Sequence, residues 1–358
     1  MAFVEVPGQI VVYDWSQFKV QIGGIVLNSV MSLRCLRTNT KTIGSCDITV
    51  ADEYGDLYDN LDYLDEIFIY IQDPDNFYIP NKVWGGWLED RAYTQGKTHI
   101  LKITGKEYVS ALFDKLYTHT YDVSTNLSII AKDIVDDDGT LLSSELPATT
   151  DKELQVEFNK ERHWDALSTI TSATGYEFGV NLEQKVYMRE IGNAPLSPDT
   201  IVLSENVGKV SQKASGENLA TNVTTQGKDS TIVSSASASN VEEAYRKREM
   251  YVVMPNAGDE ATTTEAADTT LNTQKELVKQ YTVDTMFLPQ TEPNDLIDVT
   301  IEGTELNTEY KVISIEHTIT NKGSITSRVV LNQEGLDSID ILSNLMKSYS
   351  KTQLKTWE

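Results

Sequence analysis

The spacing that comes closest to a metal site lies between positions 134 and 145. Asp136, Asp138, Gly139 and Glu145 fall at the third, fifth, sixth and twelfth places of a calcium-binding loop. The first place, which normally supplies a carboxylate ligand, is Ile134. Without that ligand an acidic turn following a helix is the simpler reading, and Asp136, Asp138 and Glu145 stand only as weak metal candidates. No cofactor is expected.

The other reactive side chains are scattered. His99, His119, His163 and His317 have no second histidine or cysteine at ligand spacing. His163 precedes Trp164 at a helix start, and His317 follows Glu316 in a strand; both read as structural or surface residues. Cys35 and Cys46 lie in neighbouring strand-like segments. They could bond across a hairpin, but a cytosolic origin favours buried thiols. Trp84-Gly85-Gly86-Trp87 could form an aromatic platform for sugars, although aromatic residues at a strand start more often serve a core or an interface. No nucleophile elbow, phosphate loop, dinucleotide fingerprint or zinc-protease motif occurs. The chain has 54 acidic residues, so carboxylate pairs carry almost no information about glycosidase chemistry. The expectation is a protein that is not an enzyme, with no catalytic residue.

Composition narrows the class. A chain of 358 residues with 40% hydrophobic content can form two or three packed domains. It contains no apolar run long enough for a membrane helix. Met1 to Pro7 lacks the pattern of a signal peptide, which predicts a cytosolic origin before assembly into something larger. A net charge of −24 argues against sequence-specific or phosphate-driven nucleic-acid binding, which needs clustered Lys and Arg.

The elements that must position these residues are mostly strands. Gln9 to Tyr13, Phe18 to Val20, Val26 to Leu36, Ser45 to Val50, Glu66 to Gln72, Val83 to Arg91 and Thr98 to Thr104 are short, β-branched or aromatic, and bounded by turns. Such evenly spaced strands predict a small barrel. The period then changes. Tyr108, Leu112, Phe113 and Leu116 predict a helix over 107–116. A second helix is predicted over 124–135 with Ser124 as cap, and a third over 164–174 stopped by Gly175. Residues 136–151 read as loop. Tyr176 to Val180 and Lys185 to Arg189 read as a hairpin. Strand character returns at 201–203, 207–212 and 220–226. Ser230 to Ser239 reads as a mobile low-complexity loop. Thr263 to Gln280 is helix-like, and Leu336, Ile339, Leu342 and Tyr349 form an amphipathic stripe in the tail.

The two ends of the chain also resemble each other. Asp65 to Ile71 and Asp295 to Ile301 share one alternating pattern. Each is followed by a connector, a strand, a polar turn and a further strand. Glu89 and Glu316, Gly96 and Gly323, and Glu107 and Glu334 each stand 227 residues apart, and the last strand fits better with a slip of one. One β-unit used twice suggests a building block.

The order of parts carries a resemblance: a β-module holding Asp65 to Ile71 and Val83-Trp84-Gly85-Gly86-Trp87-Leu88-Glu89, an insert holding Leu167 to Phe178, and a second β-module ending in Tyr310 to His317. It resembles the baseplate hub proteins of tailed bacteriophages and of related contractile injection systems, over residues 9–335. That resemblance implies a mainly β protein with an α+β part. Two related small β-barrels, 1–107 and 201–335, would flank a helix–hairpin α+β domain, 108–200, with a helical tail at 336–358. It implies a homotrimeric, pseudo-six-fold ring joining a six-fold tail tube or distal tail protein to a three-fold central spike, with other baseplate proteins around it and DNA passing through. The protein would sit in the virion tail baseplate after assembly in the host cytoplasm. An acidic lumen would repel the passing phosphates. The alternatives are a tail-tip protein of a non-contractile phage, or a virion-associated cell-wall hydrolase or sugar-binding protein.

Overall fold

The computed structural model describes residues 2–332 except 7–8, 14–16, 40–41, 73–79, 97–98, 138–140, 204, 216–218, 228–229, 254–259, 276–277, 302–305 and 321–324. Asp138, Gly139, Gly323, Glu334 and the amphipathic tail stripe lie outside the described residues.

The N-terminal part holds β1 (Ala2–Val6), β2 (Gln9–Tyr13), β3 (Phe18–Ile22), β4 (Ile25–Leu27), β5 (Val30–Thr38) and β6 (Ser45–Ala51). A short helix α1 (Asp56–Asn60) leads to β7 (Glu66–Gln72), β8 (Pro80–Thr94) and β9 (Ile100–Glu107). The strands form because their apolar residues alternate. In β6, Cys46, Ile48 and Val50 turn inward while Asp47 and Thr49 do not.

The middle part departs from the predicted helix at 107–116. Tyr108–Leu112 makes one 3-10 turn, and β10 (Leu116–Asn126) follows. Tyr108 and Leu112 are buried as a helix would bury them, but Leu116 is exposed at the strand start. Next come α2 (Leu127–Val135), β11 (Ser143–Glu145) and β12 (Glu153–Arg162), the last lying opposite β10. Asn126, not Ser124, caps α2, by accepting from the Ser128 amide at 3.1 Å. α3 (His163–Thr174) stops at Gly175, whose φ of 74° suits glycine, and β13 (Tyr176–Val180) and β14 (Lys185–Glu190) form the expected hairpin.

The C-terminal part runs β15 (Leu196–Val202), β16 (Val207–Ser215), β17 (Asn222–Gln226) and β18 (Val233–Ser237). α4 (Ser239–Tyr245), β19 (Glu249–Val253) and α5 (Glu260–Gln274) follow, then β20 (Val278–Met286), β21 (Leu296–Thr300), β22 (Asn307–Thr320) and β23 (Ile325–Asn332). The serine-rich run is therefore a strand and a helix start, not a loop. Its small residues let α5 lie close: Ser234 Oγ meets Thr263 Oγ1 at 2.8 Å, and Ala236 packs with Ala267 and Leu271 in a core of its own.

The chain is mainly β, with few helices, as expected. The expected closed barrels are absent among the described residues. One open 13-stranded sheet runs through both β-units instead. The units meet where β5 lies antiparallel to β22, with Thr38 opposite Ser314 and Ser32 opposite Thr320. Each unit thus lends the other an edge, so neither has to close on itself. Phe287, Ile319 and Ile325 of the second unit also complete the core of the first, among Ile48, Ile69 and Trp84.

The repetition is visible in the pairing. Strands run β5-β6-β9-β8-β7-β3 in the first unit and β16-β20-β23-β22-β21-β15 in the second. The bulges recur as well. Met31 is the extra residue between the Val30 and Ser32 pairings of β5, and Gly208 the extra one between Val207 and Lys209 of β16. Glu89 bulges from β8 and Ile313 from β22. Glu89 therefore corresponds to Ile313 and not to Glu316. No single offset fits because the connectors differ in length. The sixth strand differs too: β3 is antiparallel to β7, whereas β15 is parallel to β21.

Candidate functional site

The densest concentration of buried charge lies where the two β-units and the β13–β14 hairpin meet. β5 places Arg37 in the interior. Its Nε is 3.1 Å from Glu107 Oε1, at the end of β9, and its Nη1 is 3.4 Å from Glu292 Oε1, in the turn before β21. Glu107 also accepts the Thr38 amide at 3.3 Å. From the hairpin, Glu177 accepts from Arg189 Nε at 2.6 Å and, with its other oxygen, from Lys311 on β22. Arg189 further lies 3.9 Å from Asp295 and donates to the Asn294 carbonyl. Asn294 ties all three parts: its Oδ1 accepts from Asn39 Nδ2 at 2.6 Å, and its Nδ2 donates to the Tyr187 hydroxyl at 3.0 Å. Three cations and four carboxylates thus interlock.

The hairpin tip is fixed to the first unit separately. Lys82 Nζ donates to the Leu182 carbonyl at 2.8 Å, and Glu66 accepts from Tyr108 at 2.6 Å and from Gln184.

Burial sets the electrostatics. It raises the Glu107 carboxyl to about 7 even though Arg37 pulls it down. Burial and then Glu292 raise Asp295 to about 7, against Arg189. Arg37 is held charged by Glu292 and Glu107, which outweigh its desolvation. Behind the turn, Asp199 accepts from the Gln290 amide and the Thr291 hydroxyl, both at 2.8 Å, and burial raises it to about 6. Interlocked buried groups of this kind hold the parts they join in one orientation.

A cleft at this junction, lined by Arg37, Glu107, Trp164, Tyr187, Glu292 and Asn294, measures about 20 Å³. That is room for about one water. Trp164 Nε1 is buried there without a hydrogen-bond partner.

The residues singled out from sequence do not converge on it. Asp136 is exposed beyond α2, and Glu145 binds Asn181 at 3.3 Å on β11. Among the described residues, no group of three metal-type ligands exists. His163 is fully buried, with Nε2 3.0 Å from Asp137. His99 Nδ1 sits 2.7 Å from the Glu53 carbonyl, and His119 stacks on Tyr117 and lies tilted against Tyr121. Trp84 is fully buried and donates to the Leu36 carbonyl at 3.2 Å; Trp87 lies edge-on to Tyr108.

Cys46, Cys35, His317 and Ser327 do form one row across β6, β5, β22 and β23. The two thiols are free and 3.5 Å apart, and His317 Nδ1 lies 2.9 Å from Ser327 Oγ. The row has the residue types of a nucleophile and its base, but not their state. All four are buried, desolvation raises the Cys46 thiol, and it lowers the imidazole to about 3. The row is packing at the seam. The junction was missed from sequence because its members share no spacing; pairing alone brings them together.

No protein-family model and no curated protein matches the sequence. Solved structures do match its fold. A 43 kDa tail protein of prophage MuSo2 from Shewanella oneidensis superposes with a TM-score of 0.68 at 15% identity, covering 91% of this chain and 98% of that one. A tail protein from Neisseria meningitidis MC58 gives 0.69 at 13% identity, with the same coverage. An Escherichia coli component of the type VI secretion system, described as structurally similar to the T4 bacteriophage tail proteins gp27 and gp5, gives 0.55 at 10% identity, covering 87% of this chain and 76% of that one. The expected resemblance agrees with these neighbours at the level of fold.

Proposed function

We propose that this chain is a structural subunit of a phage-type tail baseplate: a hub that works by assembly and carries out no reaction. The observation that carries the reading is the repeated unit, with six strands in one order and matching bulges, fused into a single sheet. A duplicated unit offers nearly equivalent surfaces twice per chain, so three chains present six. In this reading the β-units, 1–107 and 201–335, form a homotrimeric ring between a six-fold tube and a three-fold spike. The 108–200 part braces the ring from outside, and 336–358 docks on a neighbour. The junction holds the two units at the fixed angle a ring requires. The net charge of −24 suits a passage for DNA, since acidic walls repel phosphates. The neighbours support a tail role through shared fold.

The test is negative-stain electron microscopy of the purified full-length chain at high concentration, alone and with a candidate spike protein. Six-lobed rings with a central hole are expected. Compact single particles under both conditions would sink the hub reading.

A further inference from the structure

The repeat shows where one copy of the chain would grip the next. Inside the molecule, β5 of the first unit pairs with the C-terminal half of β22 in the second, Ser314 to Thr320. Matching the strands through their bulges, β5 (Val30–Thr38) corresponds to β16 (Val207–Ser215), both of nine residues. β22 corresponds to β8, with Ser314 matching Asp90 and Glu316 matching Ala92. Both counterparts lack the partner that this match calls for. Among the described residues β16 pairs only with β20, and Asp90 to Thr94 of β8 pair only with β9.

We infer that β16 of one copy adds antiparallel to the Asp90–Thr94 edge of β8 in a second copy, repeating between chains the seam the molecule already makes within itself. The inference rests on the ring reading above and names its interface. The contact is head-to-tail, the kind that closes into a ring. A β-edge supplies its affinity through main-chain hydrogen bonds.

Three further observations meet at that edge. The first is backbone. Leu64 and Asn294 both take left-handed angles, φ 68° and 73°. The Leu64 amide bonds the Leu88 carbonyl as the Asn294 amide bonds that of Val312, and Leu88 and Val312 bond back to Asp65 and Asp295. The two turns are thus the same turn. The second is exposure: Asn294 is buried at the internal seam, whereas Leu64 is 50% and Tyr63 63% exposed. An exposed leucine in a strained conformation is explained if a neighbour covers it. The third is charge. In the matched register Ala214 stands where Arg37 does, and the exposed Lys213, facing Ala92, lies one diagonal step from the exposed Asp90. The Asp90 carboxylate now accepts from the Arg91 amide at 2.8 Å, which protects one amide of β8 in the free chain.

The register gives the test. Leu36 faces Glu316 in the internal seam, so Lys213 should face Ala92 of the next copy. A full-length chain carrying Ala92→Cys and Lys213→Cys is oxidised with glutathione disulfide, which takes the two electrons and two protons released as the S–S bond forms. Chains linked between copies should predominate on a non-reducing gel. The pair Ala92→Cys with Lys209→Cys, displaced by about 13 Å along the strand, should stay unlinked. Rings by microscopy without the first link would overturn the edge pairing and leave the hub reading standing. Links that build open ladders without rings would support the pairing and overturn the hub reading. Chains that neither link nor assemble would overturn both.

Discussion

The turns Asp62–Asp65 and Glu292–Asp295 share one backbone and have opposite surroundings. Both carry a residue in the left-handed region, and both return the same amide bonds to the following long strand. In the second turn the strained residue is asparagine, whose short polar side chain tolerates that region and can bond locally. Asn294 is buried and bonds Asn39, Tyr187 and Arg189. In the first turn the strained residue is Leu64, half exposed, with none of those polar partners. The fold therefore dictates the strain in both copies, while the neighbour dictates the side chain. Where another part of the chain covers the turn, it is polar and interlocked. Where the turn is exposed, it is acidic and apolar at its tip.

The largest effect should come from the interlocked copy. Lys311→Met leaves Glu177 buried with one cation where it had two. Removing a partner from a buried ion pair costs about 3–5 kcal/mol. The melting temperature should fall well below that of the wild type. A loss under about 1 kcal/mol would mean that the charges are screened as at a surface, and that the two turns differ less than their burial suggests.

Next in size is a pH effect confined to the second turn. Asp199 braces its approach through Gln290 and Thr291, and burial raises its carboxyl from 3.8 to about 6. A raised carboxyl holds its proton more tightly folded than unfolded. Its contribution is therefore fully present below pH 4 and is lost as pH rises through 6. Asp199→Asn removes that slope. Measured side by side, the variant should gain on the wild type by about 2–3 kcal/mol between pH 4 and pH 7. A constant difference would show that Asp199 titrates in the ordinary range. Glu107 and Asp295, both near 7, act alike in the two proteins and cancel.

These residues also show which parts of the structure were legible. β7 could be read because Ile67, Ile69 and Ile71 alternate into the core, and Ile69, like Val299 in the second unit, is buried as the pattern implied. The β13–β14 hairpin could be read because Asn181 closes its turn, accepting the Glu183 and Lys185 amides. The segment 107–116 misled because Tyr108 and Leu112 repeat at helical spacing, while a 3-10 turn buries both just as well. The Ser230–Ser239 run misled because small residues signal disorder when no helix is known to lie against them. The repeat was legible as an order of strands. Its register was not, because bulges and connectors shift each strand separately. The junction could not be read at all: Arg37, Glu177 and Lys311 have no mutual spacing, and ordinary surface charges look the same in sequence.

The smallest effect is the most telling about the two turns. Leu64→Asn gives the first turn the residue its backbone favours, as Asn294 has in the second. A leucine in the left-handed region costs about 1–2 kcal/mol, and asparagine recovers part of it, so the isolated chain should become more stable by about 0.5–1 kcal/mol. A merely structural residue would improve the protein in every assay. If Leu64 is instead the apolar tip of an interface, the same variant should assemble less well, because a buried leucine has been exchanged for an amide that must find partners or lose its water. Melting temperature and sedimentation of one variant then move in opposite directions. If both improve together, Leu64 is only an imperfect turn residue; if they oppose, its strain is retained because the next copy uses it.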